Sequence, residues 1–193
     1  MLGLIIAFKD YSPANGIFAS QWVGFKYFTQ FFSSFQFGTT MFNTLKISLY
    51  SIVVGFPLPI ILAIISNQLR VGKFRKIFQV TTYLPHFIST MVMCGMIILF
   101  LSPTSGLLAN VFKSVGITIP DFLSKPSSFA GVYVWSDVWQ HIGWDSIIYL
   151  AALSAIDPTY YEAATMDGAS RLQKIRHIEL PLLLPTAMIL LIL

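Results

Sequence analysis

Charged residues are scarce in this sequence, and it has a single cysteine. Only 10% of the 193 residues are charged, whereas soluble domains carry roughly 25%. Hydrophobic residues make up 55%, and the mean hydropathy is +0.73. The lone Cys94 excludes an intramolecular disulfide. The composition therefore predicts an integral membrane protein and excludes an ordinary soluble enzyme.

Motifs for ATP hydrolysis and metal catalysis are also missing from the sequence. The phosphate-binding pattern G-x-x-x-x-G-K-[ST] does not occur, so we expect that this chain does not itself hydrolyse ATP. The zinc pattern H-E-x-x-H is absent, and His86, His141 and His177 fall in separate segments. We therefore expect no catalytic residues, no bound metal and no cofactor. A membrane-embedded enzyme stays as a weaker alternative.

Apolar stretches of membrane length predict the fold. Three complete spans are expected at about residues 43–66, 77–101 and 128–153. Shorter apolar runs at residues 1–8 and 182–193 are read as parts of two further spans. The predicted fold is an all-α, polytopic transmembrane helical bundle. We expect one transmembrane domain over the whole chain, truncated at both ends.

The distribution of basic residues predicts the orientation. The connection between the first two complete spans carries four basic residues and no acidic one: Arg70, Lys73, Arg75 and Lys76. The connection at residues 154–181 carries three more: Arg171, Lys174 and Arg176. Because cytoplasmic loops are enriched in Lys and Arg, both connections are expected on the cytoplasmic side. A basic collar of this kind also touches anionic lipid headgroups, which accounts for the net charge of +4 without any nucleic acid.

The connection at residues 154–181 has the signals of two short helices joined by a glycine. Asp157 is a predicted N-cap followed by a proline at the first helical position. Gly168 provides the backbone freedom that ends this helix. Ser170 and Gln173 then form the S-x-x-Q pattern of a capping box. The connection is therefore predicted to be a compact helix-Gly-helix unit.

Prolines are expected to interrupt the helices that follow. Pro181 is predicted to end the regular hydrogen bonding of the second short helix. The segments at residues 55–59 and 83–86 contain prolines within spans and predict kinks. Such kinks either shape a transport cavity or are static features of the bundle, and the sequence favours neither.

The loop resembles a known family motif. Glu162-Ala163-Ala164 is followed after three residues by Gly168 and, after nine more, by the pattern I-x-L-P. This spacing resembles the EAA loop of the membrane subunits of binding-protein-dependent ABC importers, which implies a type I permease core. The resemblance further implies that the loop docks on a separate ATPase subunit. The residues that would carry this contact are Glu162, Ala163, Ala164, Asp167, Gly168, Arg171, Ile178, Leu180 and Pro181.

The same resemblance implies a set of partners and a location. A complete transporter would contain a second related permease subunit, two ABC ATPase subunits that bind ATP and Mg, and an extracytoplasmic solute-binding protein. The chain would be a multi-pass protein of a prokaryotic cell membrane, in contact with lipid.

Three further segments resemble the carbohydrate branch of this family. Residues 21–28 contain a V-G-x-x-x-F pattern, residues 106–112 resemble a short external helix, and residues 143–153 run into the EAA loop as they do in oligosaccharide permeases. The implied cargo is an oligosaccharide or another carbohydrate. A permease for a different solute, such as amino acids or phosphate, shares the EAA loop and stays open as an alternative.

Polar side chains in the third complete span form one helical face. At about 100° per residue, these five fall within a single arc: Asp137, Gln140, His141, Trp144 and Asp145. Because polar groups are costly inside a membrane, this face is predicted to line the translocation path. The alternative is a shallow position near external water, with Trp135 and Trp139 in the interfacial aromatic belt. His141 and Asp145 also have the i, i+4 spacing of a metal or proton site, although a hydrogen-bonded histidine is the commoner outcome.

Overall fold

A computed structural model describes residues 2–14, 16–104, 106–114, 116 and 121–192, and this part of the chain is mainly helical. In chain order the elements are α1 (Leu2–Ile6), β1 (Lys9–Asp10), α2 (Gly16–Ala19), β2 (Gln21–Trp22), α3 (Lys26–Phe32), α4 (Phe35–Gly55), α5 (Pro57–Gln68), α6 (Lys73–Tyr83), a 3-10 turn (Leu84–Phe87), α7 (Thr90–Leu101), α8 (Leu107–Ser114), α9 (Pro126–Ser154), α10 (Pro158–Met166), α11 (Arg171–Lys174), a π turn (Ile175–Glu179) and α12 (Leu180–Ile192).

The chain divides into two compact units, residues 1–46 and residues 47–193. In the first unit β1 and β2 pair antiparallel. Phe8, beside β1, stacks on Trp22 with ring centroids 5.7 Å apart and also contacts the rings of Phe25 and Phe28. These aromatic contacts hold the short hairpin against the start of α3.

The core of the second unit lies where α5, α9 and α12 meet. Its buried residues are Ala63, Ile64, Tyr149, Leu153, Leu183 and Ala187. Because lipid tails are as apolar as these side chains, van der Waals packing rather than the hydrophobic effect stabilises such contacts in a bilayer. Small residues such as Ala63 and Ala187 allow the helices to approach closely.

A sharp bend separates α6 and its 3-10 turn from α7. The axes of Lys73–Phe87 and Thr90–Leu101 differ by 100°. Pro85 lies buried in the 3-10 turn, and Ser89 caps α7 by accepting a hydrogen bond from the backbone of Val92 at 3.4 Å. This bend confirms the predicted kink at residues 83–86. Proline favours a kink because it lacks a backbone N–H donor and disfavours a continuous helix.

Within the described residues, two helical stretches are long and apolar enough to cross a membrane, Phe35–Gln68 and Arg171–Ile192. The bent pair of α6 and α7 counts as a third if it crosses as one span. The 29 residues of α9 contain the span expected at residues 128–153. The division of the chain into spans stays a prediction.

The prediction that Pro181 ends its helix is wrong. Helical structure continues through α11, the π turn and α12 from Arg171 to Ile192. In the π turn the N–H of Leu180 donates to the carbonyl of Ile175, five residues earlier. This wider turn ends at Glu179, two residues before Pro181. The helix can therefore accommodate the proline, which lacks a backbone N–H and carries a bulky ring, without breaking.

Candidate functional site

The helix α10 is capped at its start by Asp157. The carboxylate accepts a hydrogen bond from the backbone N–H of Thr159 at 2.9 Å. This backbone hydrogen bond holds the pKa of Asp157 below its usual range. The predicted N-cap is therefore confirmed, and it satisfies one of the free donors at the helix start.

Gly168 ends α10 as the sequence predicts. Its φ is +72°, a left-handed conformation that favours glycine. The N–H of Ala169 donates to the carbonyl of Ala164 at 2.8 Å, and that of Gly168 donates to Thr165 at 3.1 Å. Together these two bonds form a Schellman motif.

The second short helix begins at once and is tied back to α10. Ser170 and Gln173 form both bonds of the capping box, at 2.7 and 3.4 Å. The ammonium group of Lys174 donates to the hydroxyl of Thr165 at 2.7 Å. Residues 154–181 therefore form a folded unit and not an extended linker.

Most of the residues predicted to contact an ATPase are exposed. The exposed ones are Glu162, Ala163, Asp167, Gly168, Arg171, Leu180 and Pro181, whereas Ala164 and Ile178 are half-buried. Met166 and Leu172, which are absent from that prediction, are 90% and 74% exposed in the same loop. Their large apolar side chains, in a loop outside the predicted spans, were the sequence signal that could have identified them.

A groove of about 340 Å³ lies beside α10. Asp167 and Lys174 line it together with His177 and Ile178. The groove therefore offers both charge signs and an apolar floor next to the exposed helix.

Glu179 lies fully buried behind this loop, with 0% of its surface exposed. Its Oε1 accepts hydrogen bonds from Gln68 Nε2 at 2.8 Å, from Asn67 Nδ2 at 3.4 Å and from the Tyr161 hydroxyl at 3.4 Å. Burial, followed by the nearby carboxylate of Glu179, raises the pKa of Tyr161 to about 12. The hydrogen bonds of Glu179 were not predicted from the sequence. The signal that could have indicated them is a carboxyl group within the otherwise apolar I-x-L-P segment.

The predicted polar face of α9 is divided in the structure. Asp137 and Asp145 are exposed, and His141 Nδ1 contacts Asp137 Oδ1 at 3.1 Å. Gln140 is buried and donates to the backbone carbonyl of Ile88 at 2.7 Å. His141 therefore pairs with the aspartate on its N-terminal side, and Gln140 serves a contact between helices.

Aromatic rings from another element join this face. His86 stacks on Trp144 with ring centroids 4.4 Å apart and planes 4° apart. Phe87 meets Trp144 edge-on at 5.8 Å, and His86 lies 5.4 Å from the ring of His141. Helical periodicity could not place His86 and Phe87 on this face, because the 3-10 turn that carries them is distant from α9 in the chain.

A close approach of two backbones places this turn against α9. A Cβ atom at Gly143 would overlap the backbone carbonyl of Thr82 and lie 3.0 Å from the nitrogen of Tyr83. Only glycine therefore fits where α9 crosses the end of α6. The aromatic contacts of His86 and Phe87 depend on this crossing.

These features define a polytopic membrane protein that carries a folded EAA loop. Residues 55–193 match the family described as "Binding-protein-dependent transport system inner membrane component". The chain belongs to this family of transport components.

Proteins of known name and structure agree with this assignment. The chain is 39% identical to the polygalacturonan/rhamnogalacturonan transport system permease protein YteP of Bacillus subtilis (strain 168) and 38% identical to protein LplB of the same organism, over its full length in both cases. It spans about 60% of the length of each. It also resembles a chain in the crystal structure of a bacterial ABC transporter involved in the import of the acidic polysaccharide alginate. The TM-score is 0.90 at 41% identity, over 99% of this chain and 63% of that one.

Proposed function

We propose that this chain is part of a membrane-spanning permease subunit of an ATP-driven importer whose cargo is a carbohydrate. The observation that carries this proposal is the folded EAA loop, with a capped α10 that presents its surface outward. A loop that only connected two spans would not need a helix cap, a Schellman motif and a capping box within residues 157–173.

The outward surface of α10 would dock on a separate ATPase subunit. Ala163 and Gly168 have little or no side chain, so a partner could approach the backbone closely. Glu162 and Arg171 could form its charged contacts, and Met166 could fill an apolar pocket. ATP and Mg would bind to the ATPase and not to this chain.

The polar face of α9 would line the translocation path. Asp137, His141 and Asp145 supply hydrogen-bonding groups, and the indole of Trp144, stacked on His86, supplies a flat aromatic surface. Sugars need both, because their hydroxyl groups project mainly from the ring edge and their C–H bonds form the ring faces. The buried Gln140 would hold the 3-10 turn in position beside this path.

The proposed assembly contains this subunit, a second related permease, two ATPase subunits and an extracytoplasmic solute-binding protein. A match to the crystal structure of a bacterial alginate ABC transporter in complex with an alginate pentasaccharide-bound periplasmic protein supports the binding protein in this set. The matched chain is 42% identical over 87% of this chain and 58% of that one, with a TM-score of 0.85. The names of the relatives support a carbohydrate cargo over amino acids or phosphate.

Site-directed crosslinking tests the proposal. In the full-length protein with Cys94 replaced, a cysteine at Ala163 is expected to crosslink to a cysteine in the ATPase, with a yield that changes when ATP binds. Ser127 is exposed at the other end of α9, and a cysteine there is the matched control, because it is expected on the opposite side of the membrane. Equal yields at both positions, or none at Ala163 in an assembled complex, would contradict the proposal.

Transport specificity is tested separately. Reconstituted complex with its binding protein is expected to hydrolyse ATP faster with an oligosaccharide than with amino acids or phosphate. If phosphate or an amino acid stimulated ATP hydrolysis and oligosaccharides did not, the carbohydrate assignment would be overturned. The permease assignment would stand.

A further inference from the structure

The buried carboxyl of Glu179 is an unusual group at this place in the protein. It is fully enclosed, and its Oε2 has no hydrogen-bond partner among the described residues. Burying a carboxyl costs free energy unless its hydrogen bonds compensate. A leucine or methionine could fill the same space, so the packing of the core alone does not require a carboxyl here.

The partners of Glu179 lie on different elements. Gln68 is the last residue of α5, whose neighbouring turn supplies Ala63 and Ile64 to the core. Tyr161 lies in the middle of α10. Glu179 itself is the last residue of the π turn that leads into α12. One oxygen atom, Oε1, therefore connects a core helix, the exposed loop helix and the helix that follows the loop.

Tyr161 is the main inward contact of α10. Seven of the nine residues of this helix are exposed, whereas Tyr161 and Ala164 are half-buried. The side chain of Ala164 is a single methyl group. A displacement of α10 would thus reach the rest of the protein through the Tyr161 side chain, through the bond from Lys174 to Thr165 and through the chain ends of the loop.

We propose that Glu179 is a positioning residue that transmits displacements of α10 to α5 through its hydrogen bonds to Tyr161 and Gln68. The inference rests on the proposed function and adds to it that ATP binding in the docked ATPase moves α10. Glu179 touches neither the cargo nor the ATPase. Its acceptor oxygen keeps α10 and the end of α5 in a fixed relation, so a movement of one helix shifts the other.

Four single variants, one of them a control, and one double variant test this role in the reconstituted full-length complex. The measured quantity is the number of cargo molecules imported per ATP hydrolysed. Glu179→Met removes the acceptor at nearly constant volume, and we expect the ratio to fall at least tenfold while ATP hydrolysis continues. Glu179→Gln keeps an acceptor oxygen and is expected to stay within about threefold of the wild type, because a carbonyl oxygen accepts the same bonds.

Tyr161→Phe removes only the hydroxyl that joins α10 to Glu179, and we expect at least a twofold fall in the ratio. Tyr160→Phe is the matched control, since Tyr160 is the preceding residue and lies exposed. The double variant Tyr161→Phe/Glu179→Met is expected to equal Glu179→Met alone, because both changes cut the same connection.

The outcomes separate the two proposals. Equal ratios for Tyr161→Phe and Tyr160→Phe would overturn the positioning role even if Glu179→Met failed to fold. Where Glu179→Met folds, effects of Tyr161→Phe and Glu179→Met that multiply would overturn it as well. A wild-type complex that crosslinks at Ala163 while these variants stay coupled would overturn the inference alone. Absence of that crosslink and of import in the wild type would overturn the proposed function, and the inference with it.

Discussion

Gly143 offers a direct test of how α6 and α9 are held together. In Gly143→Ala the new methyl group would overlap the carbonyl of Thr82, which is a backbone atom and cannot rotate away. The two helices must separate, which by overpacking costs about 1–3 kcal/mol. Separation also weakens the buried bond from Gln140 to the Ile88 carbonyl, worth about 1 kcal/mol. This cost is offset by about 1 kcal/mol, because alanine has a higher helix propensity than glycine.

The expected net loss is therefore about 1–3 kcal/mol. At about 2–4 °C per kcal/mol for a chain of this size, the melting temperature should fall by roughly 2–12 °C. The assay heats the detergent-solubilised full-length complex and measures the fraction that still elutes intact in size-exclusion chromatography.

Gly131→Ala is the matched control on the same helix. A Cβ at Gly131 would meet no atom within 4 Å, so only the gain in helix propensity of about 1 kcal/mol applies. We expect the two variants to shift the melting temperature in opposite directions. Identical melting temperatures for both would refute the close approach at Thr82.

Three further predictions concern the loop and the face of α9. Gly168→Val should lower cargo-stimulated ATP hydrolysis, because a β-branched residue at a φ of +72° costs about 1–3 kcal/mol. Gly168→Asn should keep more of this activity, because asparagine tolerates the left-handed conformation. Equal activities of the two variants would contradict the argument. Gln140→Leu should destabilise the complex by about 1–3 kcal/mol in the heating assay, since it leaves the Ile88 carbonyl unpaired, and an unchanged melting temperature would count against that contact. The pKa of Asp157 is lowered by the folded helix, so its stabilising effect is complete above the ordinary carboxyl pKa and is lost only as the pH falls through the lowered value. Asp157→Ala should therefore lower the crosslink yield at position 163 by the same factor at pH 6 and at pH 8, because the reactive thiolate fraction changes equally in both proteins. A factor that differs between the two pH values would oppose this reading.

The sequence predicts the loop well because its signals are local. Asp157, Ser170 and Gln173 bond to groups two or three residues away, so the pattern itself contains both partners. The same holds for Gly168, whose conformation follows from its place after α10. Helix caps of this kind depend little on the rest of the fold.

Contacts between distant segments could not be predicted in this way. Glu179 binds Gln68 across 111 residues, and no periodic pattern links the two. Helical periodicity placed Gln140 on the face of α9 that is predicted to line the translocation path. In the structure Gln140 is buried and bonds to Ile88, which follows a 3-10 turn from another part of the chain. Pro181 was misread because the rule for prolines assumes α-helical hydrogen bonding, and the π turn changes that bonding one residue earlier.

The π turn at Ile175–Glu179 has a consequence for the spacing of residues along the chain. A hydrogen bond to the fifth residue holds one residue more than an α-helical turn, so the turn acts as a one-residue insertion. Each residue rotates an α-helix by about 100°, but the wide turn takes up its extra residue locally, so the capping box stays in phase with Leu183 and Ala187. A one-residue deletion within the turn is therefore expected to restore α-helical bonding and to leave this phase unchanged. The same deletion within α12 is expected to rotate the two ends against each other by about 100°.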